Sequence, residues 1–369
     1  MTRERERENV LDVFRAWAII LVVASHTQIL LQGGLGNDIF FGLSGFLAAM
    51  PFTPDCEQKF SSIFSAPKYW LAKIFRIIPL FWFILIAVYL LNLQNFTISL
   101  HSSKDTNLLN NLFFINNRGH LWFLQQQMLM YFCVPFIFFT LIFIKNFLIH
   151  RTYKKYKNII YAILLLISSL YLHNNLTSSI FYLKANGGHQ SFRIGLFMTG
   201  MSFAFFYKFI KDLNFNTNKL PSRTSNFVII LFILFTIVSS YPVLKFIIPS
   251  MPKFFIGWKY PMSCTIITLI SITICLIQPL SGTTKKILEN NFTACIAKVS
   301  FGAYLIHWYF IGVFKPLGSP NHFTMVFITS IIFSYILHIF IEKPFIIFSK
   351  THDTKQLKNF YINLVFSKN

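Results

Sequence analysis

Apolar runs long enough to cross a bilayer recur along the whole 369-residue sequence and constrain it more than any other feature. A spanning helix needs about 20 such residues. Ten helices are expected, over roughly residues 10–31, 35–52, 67–92, 120–145, 158–173, 191–210, 226–248, 260–280, 299–315 and 322–345. Only 12% of the residues are charged, against about a quarter in a soluble domain. The expected fold class is therefore all-α, a polytopic integral membrane bundle of about ten transmembrane helices. It forms a single domain, 1–369, with a short N-terminal tail (1–9) and a basic C-terminal tail (346–369). No internal repeat or second globular domain is legible.

The net charge of +21 would point to nucleic acid in a soluble protein. Here no basic, aromatic-interleaved surface is present, and membrane topology accounts for the charge. With both termini on one side, 22 of the 33 lysines and arginines gather there, 7 lie on the other side, and four fall inside helices. Positive loops stay cytoplasmic, so both termini are expected in the cytoplasm. Arg3, Arg5 and Arg7 before an apolar run resemble a signal peptide, but glutamates interrupt them and no small-residue cleavage site follows. A retained first helix is expected. The five cysteines are scattered without metal-ligand spacing, which points to free thiols and no metal.

The first helix carries Arg15 and His26, eleven positions apart. On a helix, eleven residues turn through about 1100°, so the two lie on one face about 16 Å apart along the axis. Ionisable groups inside spans are costly and mark function by default. The bland alternatives are an arginine that snorkels to lipid phosphates and a histidine that bonds a neighbouring carbonyl. The turn after helix 1 brings Asp38 toward His26. There it serves either as the carboxylate that orients the imidazole or as a helix N-cap. Gly42, Ser44 and Gly45 suit close helix packing better than nucleophilic chemistry. Lys73 and Arg76, three apart on helix 3, either bind an anion such as a nucleotide phosphate or sit as a basic pair at the interface.

These residues, taken in order, carry a resemblance. The Arg15-x10-His26 spacing, DIFFGLSGF at 38–46 and KIFRIIP at 73–79 closely resemble the acyltransferase-3 family of membrane O-acyltransferases. HLWFL at 120–124, FRIGLFMTGM at 192–201, SFGAYLIHWYF at 300–310 and IEKPF at 341–345 extend the match. The resemblance implies a ten-helix enzyme in the bacterial inner membrane. It would move an acyl group, usually acetyl from acetyl-CoA, to a sugar hydroxyl of a surface glycan such as O-antigen lipopolysaccharide, or of a lipid-linked oligosaccharide. His26 matches the family's catalytic histidine and Arg15 its paired arginine, while Asp38 is the candidate support. Arg76 matches the last position of the basic motif on helix 3. With Lys73 and Arg15 it would hold the donor's phosphates.

Arg193 is expected at the start of helix 6, as an acceptor contact or an interfacial anchor. Trp122, Tyr304 and Trp308 either stack on sugar or pantetheine or belong to an interfacial aromatic belt. His307 is a substrate-side candidate or a buried structural histidine. Two positions depart from the family pattern. Lys73 stands where an arginine is common and lacks its bidentate fork. Gln127 stands where many members have glutamate and cannot act as an acid or base. The rival class is a membrane transporter of a glycan or small solute, which also buries charge at mid-membrane. No inverted halves or paired broken helices support it.

Overall fold

The computed structural model describes residues 3–30, 34–53, 66–93, 108–114, 119–148, 156–176, 183–185, 188–190, 193–213, 221, 223–239, 259–317 and 320–351. The described chain is a helical bundle. In order come α1 (Arg3–His26), α2 (Gly34–Ala49), α3 (Ala66–Leu93), the short α4 (Leu108–Leu112), α5 (Trp122–Leu148), α6 (Lys157–Leu176), α7 (Ile194–Asp212) and α8 (Thr224–Val238). After these follow α9 (Lys259–Ile277), α10 (Gly282–Leu288), α11 (Asn291–Phe314), α12 (Asn321–Leu337) and α13 (Lys343–Thr351). One antiparallel hairpin, Leu183–Ala185 with Gly188–Gln190, interrupts the helices between α6 and α7.

Each of the ten expected segments carries a helix, but fewer of them meet the requirements of a span. Among the described residues, six stretches are long and apolar enough to cross a membrane: Glu8–His26, Gly34–Phe52, Ala66–Leu91, Trp122–Ile144, Asn291–Phe314 and Asn321–Ser349. A seventh is gained if Pro261–Ile277 and Gly282–Leu288, bent by 117° at their break, form one span. α8 is short, with 15 residues. The apolar stretch of α6 is trimmed by His173, Asn174 and Asn175, and that of α7 by Lys208, Lys211 and Asp212. The tail beyond Thr351 and most of the 93–119 loop lie outside the described residues.

The outer surface confirms the environment that composition implied. Phe83, Leu90, Phe143, Ile332 and Phe333 are large, apolar and exposed. The stretches that carry them are apolar on all sides, so lipid is the solvent that makes such exposure favourable. Inside, a continuous core built from α1, α2, α5, α7 and α11 includes Phe14, Ile19, Phe41, Phe46, Phe197 and Tyr304.

α2 and α7 pack backbone to backbone. A Cβ on Gly45 would collide with the carbonyl oxygen of Phe197, and one on Gly200 with that of Gly42. Small residues at a membrane helix crossing permit this approach, which is the packing role expected for Gly42 and Gly45. Trp17 adds a tie from α1 to α8, donating its indole N–H to Thr236 Oγ1 at 2.9 Å.

α1 ends at His26, earlier than its apolar pattern implied. Thr27 donates its hydroxyl back to the Val23 carbonyl oxygen, and Gln28 adopts φ 65°, which ends the helix. At the far end of the chain, α12 passes into α13 through a π turn, His338–Glu342. Inside that turn His338 Nδ1 and Glu342 Oε2 lie 2.7 Å apart, both side chains buried.

Candidate active site

His26 is the last residue of α1 and is half-buried. Its ring meets two side chains from α11. His307 lies 5.3 Å away between ring centroids, and Trp308 presents an edge at 4.9 Å. A third histidine, His120, sits in the single 3-10 turn Gly119–Leu121 that precedes α5. It stacks on Trp308 at 5.5 Å and lies 5.8 Å from His307. Three chain segments thus converge on one imidazole cluster. Trp308 is half-buried, whereas His307 is fully buried.

Hydrogen bonds fix two of these rings. His120 Nε2 lies 3.2 Å from the carbonyl oxygen of Leu305, and a carbonyl only accepts, so Nε2 carries the proton. The His120 backbone carbonyl accepts from the Tyr304 hydroxyl. His307 Nδ1 reaches the carbonyl oxygens of Tyr304, at 2.7 Å, and Ala303, at 3.2 Å. Nδ1 is therefore the donor. Nε2 of His307 is an acceptor with no hydrogen-bond partner among the described residues. Among those residues no His, Cys, Asp or Glu cluster has the arrangement of a metal site, and Cys133, Cys264, Cys275 and Cys295 form no disulfide.

At the other end of the same face of α1, Arg15 donates from Nη1 to Asp12 Oδ1 at 2.7 Å. Lys73 places its ammonium over two rings, Tyr131 at 4.6 Å and Tyr69 at 5.3 Å. Arg15, Lys73 and Arg76 are close enough to repel one another. Neither Lys73 nor Arg76 forms an ion pair with a carboxylate among the described residues. Among the described residues Asp12 is the acid paired with this cluster, and excess positive charge in a low-dielectric setting creates a preference for an anion.

α5 links the two ends. From His120 to Tyr131 is eleven residues, the same separation as Arg15 to His26, and the two segments run in opposite directions. The histidine of each therefore falls at one end, and Arg15 and Tyr131 fall at the other. Midway, Gln127 donates from Nε2 to Ser44 Oγ at 2.9 Å and to Tyr131 Oη at 3.2 Å. A glutamate here would only accept. The carboxamide instead gives its protons to two hydroxyls and adds no negative charge beside the basic cluster.

Asp38 lies within α2, one turn past its start at Gly34, and so is not its N-cap. Its carboxylate accepts from Arg193 Nε at 2.8 Å, and its backbone carbonyl accepts from Thr265 Oγ1. Arg193 caps α7, and its backbone N–H donates to Gln126 Oε1 at 2.9 Å. Asp38 thus bonds Arg193, a different partner from the His26 imidazole that the hairpin pointed to. Trp122 packs on Phe41 at 5.9 Å and Phe123 at 6.3 Å, and Phe123 meets Tyr304 at 5.0 Å. Trp122 therefore borders the cluster through Phe123.

Sequence reasoning passed over Asp12, Tyr69 and Tyr131. Asp12 stands three residues before Arg15 and Tyr69 four before Lys73, spacings that place side chains together on a helix. Tyr131 carried no such signal for its contact with Lys73, which comes from another helix.

A family model described as an acyltransferase domain matches residues 8–341, nearly the whole chain. No curated protein and no solved structure matches it.

Proposed function

The chain belongs to the acyltransferase-3 family and is a multi-pass membrane acyltransferase; from that premise we propose that it is an O-acetyltransferase of the bacterial inner membrane. In this proposal it carries acetyl from acetyl-CoA to a sugar hydroxyl of a surface polysaccharide, O-antigen lipopolysaccharide or a related lipid-linked glycan. The observation that carries the proposal is the two-ended face of α1, with under-neutralised cations around Arg15 and an imidazole cluster at His26.

A sugar hydroxyl is a poor nucleophile near neutral pH, and a base must take its proton as it attacks the thioester carbonyl. His26 is our base, since an imidazole ordinarily titrates near neutrality, at about 6.5. The donor's phosphates rest on Arg76, Lys73 and Arg15, with Tyr69 and Tyr131 holding the lysine in place. The pantetheine arm follows the α1–α5 face past Gln127 and Ser44, bringing the thioester to His26. The hydroxyl oxygen bonds to the acyl carbon, the carbon–sulfur bond breaks, and the proton taken by His26 passes to the thiolate. No net proton is released. Trp308 and Trp122, both half-buried, offer the flat apolar faces on which a sugar ring packs, with the buried Tyr304 behind them. In this scheme Arg193 and Asp38 act as a pair that sets the rim of the acceptor side.

The test uses purified protein and acetyl-CoA labelled in the acetyl group. Label should leave the thioester and appear on an added glycan acceptor, with free CoA released in equal amount. A protein that moves glycan across vesicles and leaves the thioester intact is a transporter. Mass spectrometry of the surface glycan from a deletion strain then identifies the acetylated hydroxyl.

A further inference from the structure

His307 presents an acceptor nitrogen that nothing in the described structure uses. Its Nδ1 is tied to the carbonyl oxygens of Tyr304 and Ala303 on its own helix. That anchor holds the ring in one tautomer and leaves the Nε2 lone pair buried and unpartnered. Leaving a buried acceptor unpaired costs free energy, so such a group marks a bond that forms in another state of the protein. The exposures of the neighbouring rings say where the bond goes. His307 is 0% exposed, while His26 and Trp308 are half-buried. A substrate that reaches the cluster meets His26 and Trp308 first, with His307 behind them.

We infer that His307 is a positioning residue for His26: its Nε2 accepts a hydrogen bond from the His26 imidazolium as that ring takes the substrate proton. The inference rests on His26 being the base. The centroid separation of 5.3 Å lets facing ring nitrogens meet directly or through one water. In many acyl-transfer sites a carboxylate orients the base. Here Asp38, the carboxylate that the sequence pointed toward His26, is bonded to Arg193, and in this inference a neutral imidazole does the orienting. The proton balance is simple. One His26 nitrogen takes the hydroxyl proton, the other keeps its N–H and donates it to His307, and the first proton then moves to the departing thiolate. His307 neither gains nor loses a proton. The titratable groups that His307 feels are His26 from α1 and His120 from the turn before α5.

Two substitutions separate anchor from acceptor. His307→Asn keeps a donor where Nδ1 stands and removes the acceptor at the Nε2 position. His307→Gln places a carboxamide oxygen near that position. In His307→Asn, kcat should fall roughly ten- to a hundredfold, the size of one lost hydrogen bond to a charged group, with the KM for acetyl-CoA unchanged. His307→Gln should recover part of that loss. A full-speed His307→Asn enzyme, a His307→Gln enzyme equally slow, or an effect confined to KM overturns the inference. His26→Ala is assayed beside them. If it is inactive while His307→Asn runs at full speed, this inference fails alone, and an active His26→Ala enzyme sinks the base assignment with it. Nitrogen-15 NMR of histidine-labelled wild type needs no variant to fold. The Nδ1–H tautomer is expected for His307, and an Nε2–H tautomer rejects the inference.

Discussion

Asp38 and Arg193, 155 positions apart in sequence, meet at 2.8 Å where the carboxylate is 2% exposed and the arginine side chain 15%. The pair ties α2 to the first turn of α7, close to where those helices touch backbone to backbone. A charge removed from one side leaves the other buried and uncompensated, and in a protein interior that costs about 3–5 kcal/mol.

Asp38→Asn and Arg193→Gln should each lower thermal stability in detergent, each by about 3–5 kcal/mol. The double variant should be more stable than the sum of the two losses predicts, because neither orphaned charge remains. Strict additivity of the two would show that the ion pair does not couple α2 to α7.

His26→Ala should abolish acyl transfer, a loss of at least about a hundredfold if the ring is the general base. The change sits at a helix end, so insertion and melting temperature should stay near wild type. Transfer at an undiminished rate would remove His26 from the mechanism.

Arg76→Ala should raise the KM for acetyl-CoA more than it lowers kcat, as expected when a ground-state phosphate contact is lost. Added salt should weaken donor binding in wild type and do so less in the variant, since one screened contact is already gone. Lys73→Arg should keep donor binding, because charge and a cation–π contact over Tyr131 both survive. Donor kinetics indifferent to salt and to Arg76→Ala would place the phosphates elsewhere.

The basic bias of 22 to 7 predicts opposite sides for two loops that lie outside the described residues. Single cysteines at Asn107 and Lys155, introduced after the five native cysteines are replaced, should react with impermeant reagents from opposite faces of the membrane. Labelling from the same face would reverse one loop and break the proposed orientation.

Much of this arrangement was legible in one dimension because it lies along single helices. Arg15 and His26 share a face by helical period alone, and apolar runs placed all ten expected helices. The end of α1 was not legible. Thr27 and Gln28 interrupt the apolar run for only two residues before Ile29, Leu30 and Leu31 resume it, and the turn depends on one backbone angle at Gln28. Partner choice between helices was equally hidden. Nothing local distinguishes an Asp38 that bonds His26 from one that bonds Arg193, and nothing in the spacing of His307 reveals the ring it faces. Length and apolarity mark fewer spans than helices among the described residues, since α6 and α7 are apolar in the middle but polar at their ends.

The π turn at His338–Glu342 has a consequence for how this chain aligns with others. A π turn carries one more residue than the α turn it replaces, and one residue in a helix is worth about 100° of rotation. Everything after Glu342 is therefore rotated relative to a straight continuation of α12. That rotation aims Phe345 and Phe348 at Phe75 on α3, with centroids 6.4 and 5.5 Å apart. A relative with a regular helix would be one residue shorter here. If aligned without a gap, its last segment would show the wrong face at every position. The missing residue would then look like divergence of the whole terminus, although it records a single insertion.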